Sequence, residues 1–586
     1  MKNAWRSPGA GVALLILLTV AAYLPVMHAG FIWDDGALIT GNPMIKANDG
    51  LYRFWFTTEP DDYWPLTSTA WWLEWRLWGD NPTGYHLVNV LLHAVNAVLV
   101  WMILQRLKIP GAWMAGLVFA IHPVNVATVA WISEQKNTQS MLFYELAILS
   151  YLKFDEQNRW HWYGFSLAAF LLALLSKAAV VMLPAVLLGC VWWTRGQLRW
   201  KDFLRAVPFF ILSAGLGLVT VWFQYHRVMG GHPVRTEGFA GRLAAAGCVP
   251  WFYLSKALLP VDLMVIYPRW QIDASRWVFY LPGIALLGWL IVFWWKRDTW
   301  GRPLLFALGY FVATLFPVLG FFDLGFYRYS LVADHWQYIA IVAPIALAVA
   351  GGMVASRQSQ NVGVMAGTVV ILVLGAATCE RSCTYQSDET LWRDTVAKNP
   401  RSWLAHTNLG ETALQAGMER EALEHYEQAL RIKPDYAPAH YDLGLMLWRA
   451  GKTREAVEHW EQALRSEPDL AAAHYTLGVA LIQAGRTNEA MQHWEQTVRI
   501  DPDDAEAHND LGSALFAAGR IREAIEHYER AVQLKPDFAE AHCNLGGALW
   551  QAGKVNDAIG HYEQALRIKP DLTEARNALA RLRAVQ

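Results

Sequence analysis

Apolar runs almost free of charge recur about eleven times before residue 385, and beyond it a polar tandem repeat takes over with a 34-residue period. A chain divided in this way is written for two solvents. A helix needs about 20 apolar residues to cross the ~30 Å hydrocarbon core of a bilayer. Runs that meet or approach this length begin near residues 11, 86, 111, 138, 161, 178, 205, 278, 303, 336 and 362. With 54% hydrophobic and only 17% charged residues, the 586-residue chain reads as a membrane protein rather than as several soluble domains. Many of its 31 Trp close apolar runs, as Trp71, Trp72, Trp75, Trp78, Trp192, Trp193, Trp294 and Trp295 do. There an amphipathic ring suits the headgroup layer. A net charge of −2, with no basic stripe interleaved with aromatics, gives no sign of a nucleic-acid partner. Five cysteines make no disulfide framework; Cys379 and Cys383, one helical turn apart, read as packing residues or free thiols.

The segment Met1 to Arg6 followed by the apolar run Gly11 to Leu24 reads as a retained signal anchor. Between Cys248 and Val261 the chain is also apolar, but Pro250 and Pro260 bracket only nine residues, which predicts a re-entrant or interfacial segment. Basic residues in short loops mark the cytoplasmic side. Lys2 with Arg6, Arg106 with Lys108, Lys153 with Arg159, the group Arg195, Arg199, Lys201 and Arg205, and Lys296, Arg297 with Arg302 alternate only if 248–261 does not cross. The expectation is therefore eleven crossings, a cytoplasmic N-terminus and a repeat domain on the non-cytoplasmic side. In a prokaryote the membrane is the inner one. Arg227, Arg235 and Arg242 then lie on the outer side, where anion binding or tolerance of a long loop accounts for them.

Pro400, Pro434, Pro468, Pro502, Pro536 and Pro570 keep the 34-residue spacing, as do Gly410, Gly444, Gly478, Gly512 and Gly546. With Leu409, Ala422, Tyr426 and Ala429 in the first unit, the pattern resembles the tetratricopeptide repeat. The aromatic slot recurs as Trp460, Trp494, Tyr528 and Tyr562. Five units plus a capping helix from 573 satisfy a solenoid's need for neighbours. His406, His440, His474, His508 and His542 recur in register; because successive copies lie in different units, they read as packing residues rather than a metal site. Two residues on, Asn408, Asp442, Thr476, Asp510 and Asn544 form a polar ladder. Such side chains can hydrogen-bond an extended peptide, which makes the ladder the candidate peptide-binding face. The expected organisation is a membrane domain over 1–385, a linker over 386–402 and a solenoid over 403–586.

Directly after the first apolar run, Phe31-Ile32-Trp33-Asp34-Asp35 puts two carboxylates at the membrane interface. A carboxylate there can orient or deprotonate an acceptor hydroxyl, and two permit a divalent cation without demanding one. Asp61 and Asp62 lie in the same loop, either near this pair or in solvent. Candidate substrate-binding residues are Glu134 and, as cations for an anionic ligand, Lys177, Arg227, Arg328 and His335; alternatively Glu134 pairs with Lys136. Lys177 ends an apolar helix, a costly place for an ammonium unless it has a partner or reaches the interface.

Trp33-Asp34-Asp35 with Asn42-Pro43, the run His122-Pro123-Val124-Asn125-Val126-Ala127-Thr128-Val129-Ala130-Trp131, Ser176-Lys177 before Leu183-Pro184, and Val332-Ala333-Asp334-His335 all precede the repeats. Together they resemble the transmembrane and tetratricopeptide repeat-containing O-mannosyltransferases and their bacterial relatives. The segment Glu134-Gln135-Lys136-Asn137 departs from that pattern in lacking an Arg and an Asp that some relatives carry. The resemblance implies an all-α chain, a polytopic GT-C-like membrane domain followed by a tetratricopeptide α-solenoid. It also implies transfer of a sugar from a polyprenyl-phosphate carrier to a Ser or Thr hydroxyl of a protein outside the cytoplasm, with Asp34 and Asp35 catalytic. The alternative is a membrane-anchored scaffold for envelope complexes, without chemistry.

Overall fold

The computed structural model describes residues 8–356 and 359–585; Lys2 and Arg6, used above for sidedness, lie outside the described residues. The chain forms two compact units, Met1–Ala405 and His406–Gln586. Among the described residues all regular structure is helical.

Six helices of the first unit are long and apolar enough to cross a membrane: Pro82–Arg106, Ala178–Arg195, Trp200–Val228, Trp277–Trp295, Gly301–Val318 and Asn361–Thr384. The bent pair Ala112–Ala120 and Pro123–Val129, 47° apart, makes a seventh if it is one span. Gly9–Ala22, Trp160–Ser176 and Val342–Ala355 are apolar but shorter. The expected run from 138 lies inside the helix Gln135–Gln157, which is polar at both ends and apolar only in its middle. That helix is central: Tyr144, Ala147, Ile148 and Tyr151 are buried against Phe170, Leu183 and Leu187. Trp277–Trp295 is its opposite, with Ile284, Leu287, Ile291 and Trp295 all exposed. A soluble domain does not present such a face to water; a bilayer makes it the solvated one.

The helix ends sort by charge. At one end Arg106 pairs with Glu156 at 3.3 Å, and Arg195 bridges Asp155 and Asp202. Arg302 stacks 5.5 Å from Trp192 and donates to its carbonyl at 3.0 Å, an interfacial anchor of the expected kind. The other end carries the acidic loop and its companions.

Two boundary expectations are corrected. The segment bracketed by Pro250 and Pro260 is the second half of a continuous helix, Phe239–Leu258, with Pro250 inside it. Proline removes one backbone donor but need not end a helix that neighbours hold; here Trp251 Nε1 donates to the Pro282 carbonyl at 2.9 Å. The 386–402 linker contains the helix Asp388–Lys398, with Leu391 and Trp392 buried. Lys398 donates to the Leu263 carbonyl at 2.9 Å and Asn399 to that of Ile266 at 3.1 Å, so this stretch belongs to the first unit. Its polarity reads as a linker only because its anchors are distant in sequence.

In the second unit each repeat is a helical hairpin, for example Ala471–Gln483 with Thr487–Ile500. The turn needs Gly485, whose φ of 74° suits a residue without Cβ. Small residues let the paired helices meet: a Cβ on Gly478 would stand 2.5 Å from Trp494 Nε1, whose N–H donates to the Tyr475 carbonyl at 3.2 Å. Gly478→Ala is therefore expected to destabilise the repeat unit by about 1–3 kcal/mol through overpacking, read as a lowered unfolding midpoint of the purified chain.

Candidate active site

The acidic loop is built around a constrained residue. Trp33 has φ of 47°, a left-handed conformation uncommon for a bulky side chain. Its N–H donates to Asp388 Oδ1 at 2.8 Å, and its ring stacks on Trp131 at 4.9 Å with 13° between planes. Trp392 closes the other side edge-on at 5.2 Å. Backbone strain of this kind, on the order of 1–3 kcal/mol, persists only where surrounding contacts hold it.

With Trp33 fixed, the two carboxylates face different tasks. Asp35 is fully buried, and its oxygens accept from the backbone N–H of Ile32 at 3.0 Å and of Ser133 at 2.7 Å. It staples the loop to the segment after the bent helix pair. Asp34 is partly exposed and accepts from the Ser133 hydroxyl at 2.8 Å. Of the two, Asp34 therefore has the carboxylate that is not committed to backbone N–H groups.

Beside them sits a charged cluster. Buried Glu134 meets Lys136 Nζ at 3.0 Å, Lys177 Nζ at 3.3 Å and His335 Nε2 at 3.9 Å. Asn137 also donates to Glu134. These three partners come from separate elements: Lys136 from the start of Gln135–Gln157, Lys177 from the break after Trp160–Ser176, and His335 from the turn Asp334–Gln337. Lys136 also lies 4.6 Å over the Trp64 ring.

The electrostatics follow from burial and proximity. Burial alone would raise the Glu134 carboxyl, yet His335, Lys136 and Lys177 hold it well below the carboxylate range. Burial lowers Lys177 to about 8, against the pull of Glu134. Burial likewise lowers His335 to about 4, leaving its imidazole neutral at pH 7. Asp35 is raised well above its ordinary value by burial and by the neighbouring Asp34. Asp34 is raised by burial, with Lys136 and the Ser133 hydroxyl pulling it back.

Of the residues named from sequence, Asp34, Asp35, Glu134, Lys177 and His335 thus gather at one end of the membrane unit. Asp62 belongs there too: it is buried, is raised by burial to about 6, and feels both Lys136 and Lys177, whereas Asp61 is exposed. Arg227 and Arg328 have other partners. Arg227 donates to the Glu59 carbonyl at 2.7 Å, and Arg328 donates to the Gly325 and Val228 carbonyls at 3.0 Å each. Arg235 and Arg242 are tied to Gly320, Phe321 and Asp323, so a structural loop contact accounts for both. Ser133 and Asp388 escaped the sequence reading, and Asn137 entered it only as part of a segment that departs from the family pattern. Ser133 lies two residues past a quoted motif, but Asp388 is 355 positions from the Trp33 it holds. Among the described residues no three His, Cys, Asp or Glu side chains are grouped to hold a metal ion.

In the repeat unit members of the polar ladder are partly engaged with residues beside it. Tyr475 donates to Asp510 at 3.0 Å, and Asn544 donates to Asn509 at 3.0 Å, each across one repeat. Thr476 turns back to the Ala472 carbonyl at 2.9 Å. Burial and Glu411 raise Asp442 to about 7, and Asn408 lies on the same helix as Glu411.

Comparison with known proteins bears on both units. The dolichyl-phosphate-mannose-protein mannosyltransferase family matches residues 60–223, which include Glu134, Lys136 and Lys177 but not the acidic pair. The resemblance to O-mannosyltransferases is borne out. Tetratricopeptide repeat families match 420–451, 441–505, 512–553 and 539–572. A protein O-mannosyl-transferase of Caenorhabditis elegans is 22% identical over 74% of this chain and 64% of its own length. Human protein O-mannosyl-transferase TMTC3 is 23% identical over 72% of this chain and 51% of its own. The chain thus spans between half and two thirds of the length of these relatives. Among solved structures, the tetratricopeptide repeat protein YrrB is 23% identical, with a TM-score of 0.30 over 32% of this chain and 96% of its own.

Replacing Glu134 by Gln leaves two ammonium groups buried without their counter-charge. A loss of about 3–5 kcal/mol is expected for such a broken pair, measured as reduced thermal stability of the detergent-solubilised protein, with Lys136→Met partly restoring it.

Proposed function

We propose that the chain is a membrane glycosyltransferase that moves a sugar from a polyprenyl-phosphate donor to Ser or Thr hydroxyls of a polypeptide. The observation that supports this reading is the placement of a carboxylate not tied to the backbone, Asp34, beside a buried cluster of two lysines and Glu134 that lies in the stretch matching a mannosyltransferase family. Similarity to protein O-mannosyl-transferases makes mannose the first sugar to test. The repeat unit would recruit the acceptor polypeptide, on the non-cytoplasmic side.

The chemistry assigns each group one task. The acceptor oxygen attacks the anomeric carbon while Asp34 takes its proton, and the bond from that carbon to the phosphate oxygen breaks. The polyprenyl phosphate leaves with the electron pair. Its charge is met by Lys177 and Lys136, which are worth more in a low-dielectric site than in water. Asp35 is a positioning residue, because both its oxygens hold backbone N–H groups. Ser133 links the two by its backbone N–H to Asp35 and its hydroxyl to Asp34.

Mass spectrometry of Ser- and Thr-linked sugars on envelope proteins tests the reading. Cells with Asp34→Asn are expected to lose the same hexose mass as cells lacking the chain, with the variant protein present at normal abundance. Persistence of that sugar in both would return the scaffold reading. Asp35→Asn, by contrast, is expected to lower the amount of folded protein as well as activity.

The lowered Lys177 sets the alkaline limit. Below about pH 8 its ammonium persists and above it the charge is lost, so transfer in membranes is expected to fall as pH rises through that value. In Lys177→Arg, whose guanidinium stays charged, the alkaline fall should shift upward; an unmoved limb would remove Lys177 from the leaving-group role.

A further inference from the structure

Inside the first unit lies a cavity of about 530 Å³, within the ~300–1,000 Å³ usual for small-molecule sites. Five helices wall it: Pro82–Arg106, Gln135–Gln157, Leu183–Arg195, Gly301–Leu315 and Val342–Ala355. Its lining includes none of Asp34, Glu134, Lys136, Lys177 and His335. One wall, Val342–Ala355, is about 20 Å long at 1.5 Å per residue. Along it Ala343 and Ala346 are buried, whereas Gly351, Val354 and Ala355 are exposed. The cavity therefore runs inward from one accessible end, where exposed Trp300 also lines it.

The lining carries a single charged residue, Glu145, and no Lys, Arg or His. Glu145 is 1% exposed, and neither of its carboxyl oxygens has a hydrogen-bond partner among the described residues. The tyrosine and indole protons around the buried part of the cavity are already committed. Tyr144 donates to the Tyr310 hydroxyl at 3.5 Å, Tyr310 donates to the Ile339 carbonyl at 3.3 Å, and Trp193 Nε1 donates to the Leu107 carbonyl at 2.9 Å. That chain ties Tyr144, next in sequence to Glu145, to the residues just before Val342, so the carboxyl lies toward the buried end. An ionisable group at membrane depth ordinarily pairs with another group or serves a ligand. Glu145 lacks the pair.

We propose that this cavity binds a lipophilic organic cation, an ammonium centre carried on an apolar body, with its charge paired to Glu145. The carboxyl lacks a counter-charge, which an ammonium supplies and a plain acyl chain of the same volume does not. Aromatic faces favour an organic cation through cation–π attraction. Tyr144, Trp193, Phe306 and Tyr310 provide them, with the Trp193 and Phe306 rings stacked at 5.1 Å. The aliphatic remainder of the lining, from Val100, Leu104 and Ile148 to Leu347, accepts a hydrocarbon body.

Entry is compatible with the charges at the accessible end. Of the basic residues there, Arg106 is paired with Glu156, and Arg195 with Asp155 and Asp202. The site is also distinct from the candidate active site. Glu145 stands nine residues beyond Lys136 on one helix, roughly 14 Å along its axis, so the inference does not rest on glycosyl transfer.

The test measures binding of radiolabelled dodecyltrimethylammonium to the full chain in nanodiscs of a zwitterionic lipid. Saturable binding is expected, displaced by the unlabelled cation but far less by dodecanol or dodecyl sulfate, which share its chain and differ in charge. Glu145→Gln should weaken it by roughly ten-fold or more, as when a desolvated charge pair loses one partner, with circular dichroism unchanged. If that variant does not fold, Ala350→Phe, which narrows the accessible end and leaves the carboxyl in place, should weaken binding instead. Equal saturable binding by wild type and Glu145→Gln would overturn the proposal. So would displacement by dodecanol as effective as by the cation itself, the mark of an acyl-chain slot, or tighter competition by a polyprenyl phosphate, the mark of a donor tail.

Discussion

Glu134 sits in a low-dielectric setting with two ammonium groups and an imidazole drawn from three separate elements. Each cation alone would be expensive at that depth, and so would the carboxylate. Held together they fix how the helix Gln135–Gln157, the break at Lys177 and the turn at His335 meet. The acidic loop then docks against Ser133, one residue before Glu134, so the position of Asp34 depends on an ion cluster it does not itself complete. The cost of burying these charges is accepted where a soluble protein of this composition would place hydrocarbon.

Much of this was legible in the sequence, and the reasons differ by feature. The repeats announce themselves because each of their residues answers a local need: Gly478 beneath Trp494, Gly485 in a turn with positive φ, Pro closing the unit. Apolar length marked helices such as Trp277–Trp295, whose side chains are exposed and apolar. The run from 138 was legible too, but not that its helix, Gln135–Gln157, is surrounded by protein and so answers to its neighbours. For the same reason Pro250 was read as a terminator although it lies within a packed helix.

At the candidate site the residue types were readable and the partnerships were not. Asp34, Asp35, Glu134, Lys177 and His335 stand out as charges or titratable groups beside apolar runs. Arg227 and Arg328 stand out equally, yet they cap loop carbonyls. Sequence spacing does not distinguish a cation aimed at a ligand from one aimed at a backbone oxygen. The histidine ladder was half legible: His440 stood out by its register, while His459, whose Nδ1 lies 2.9 Å from its own, is brought to it by the hairpin.

The hydrogen bond from Trp33 to Asp388 joins residues 355 positions apart. During synthesis the acidic loop follows the first apolar helix almost at once, while Asp388 follows the last. For the whole interval in which the membrane unit is being inserted, Trp33 lacks the acceptor that holds its unfavourable backbone conformation. The contacts around the acidic loop are thus complete only once the helix after the last apolar one has folded back onto Trp33.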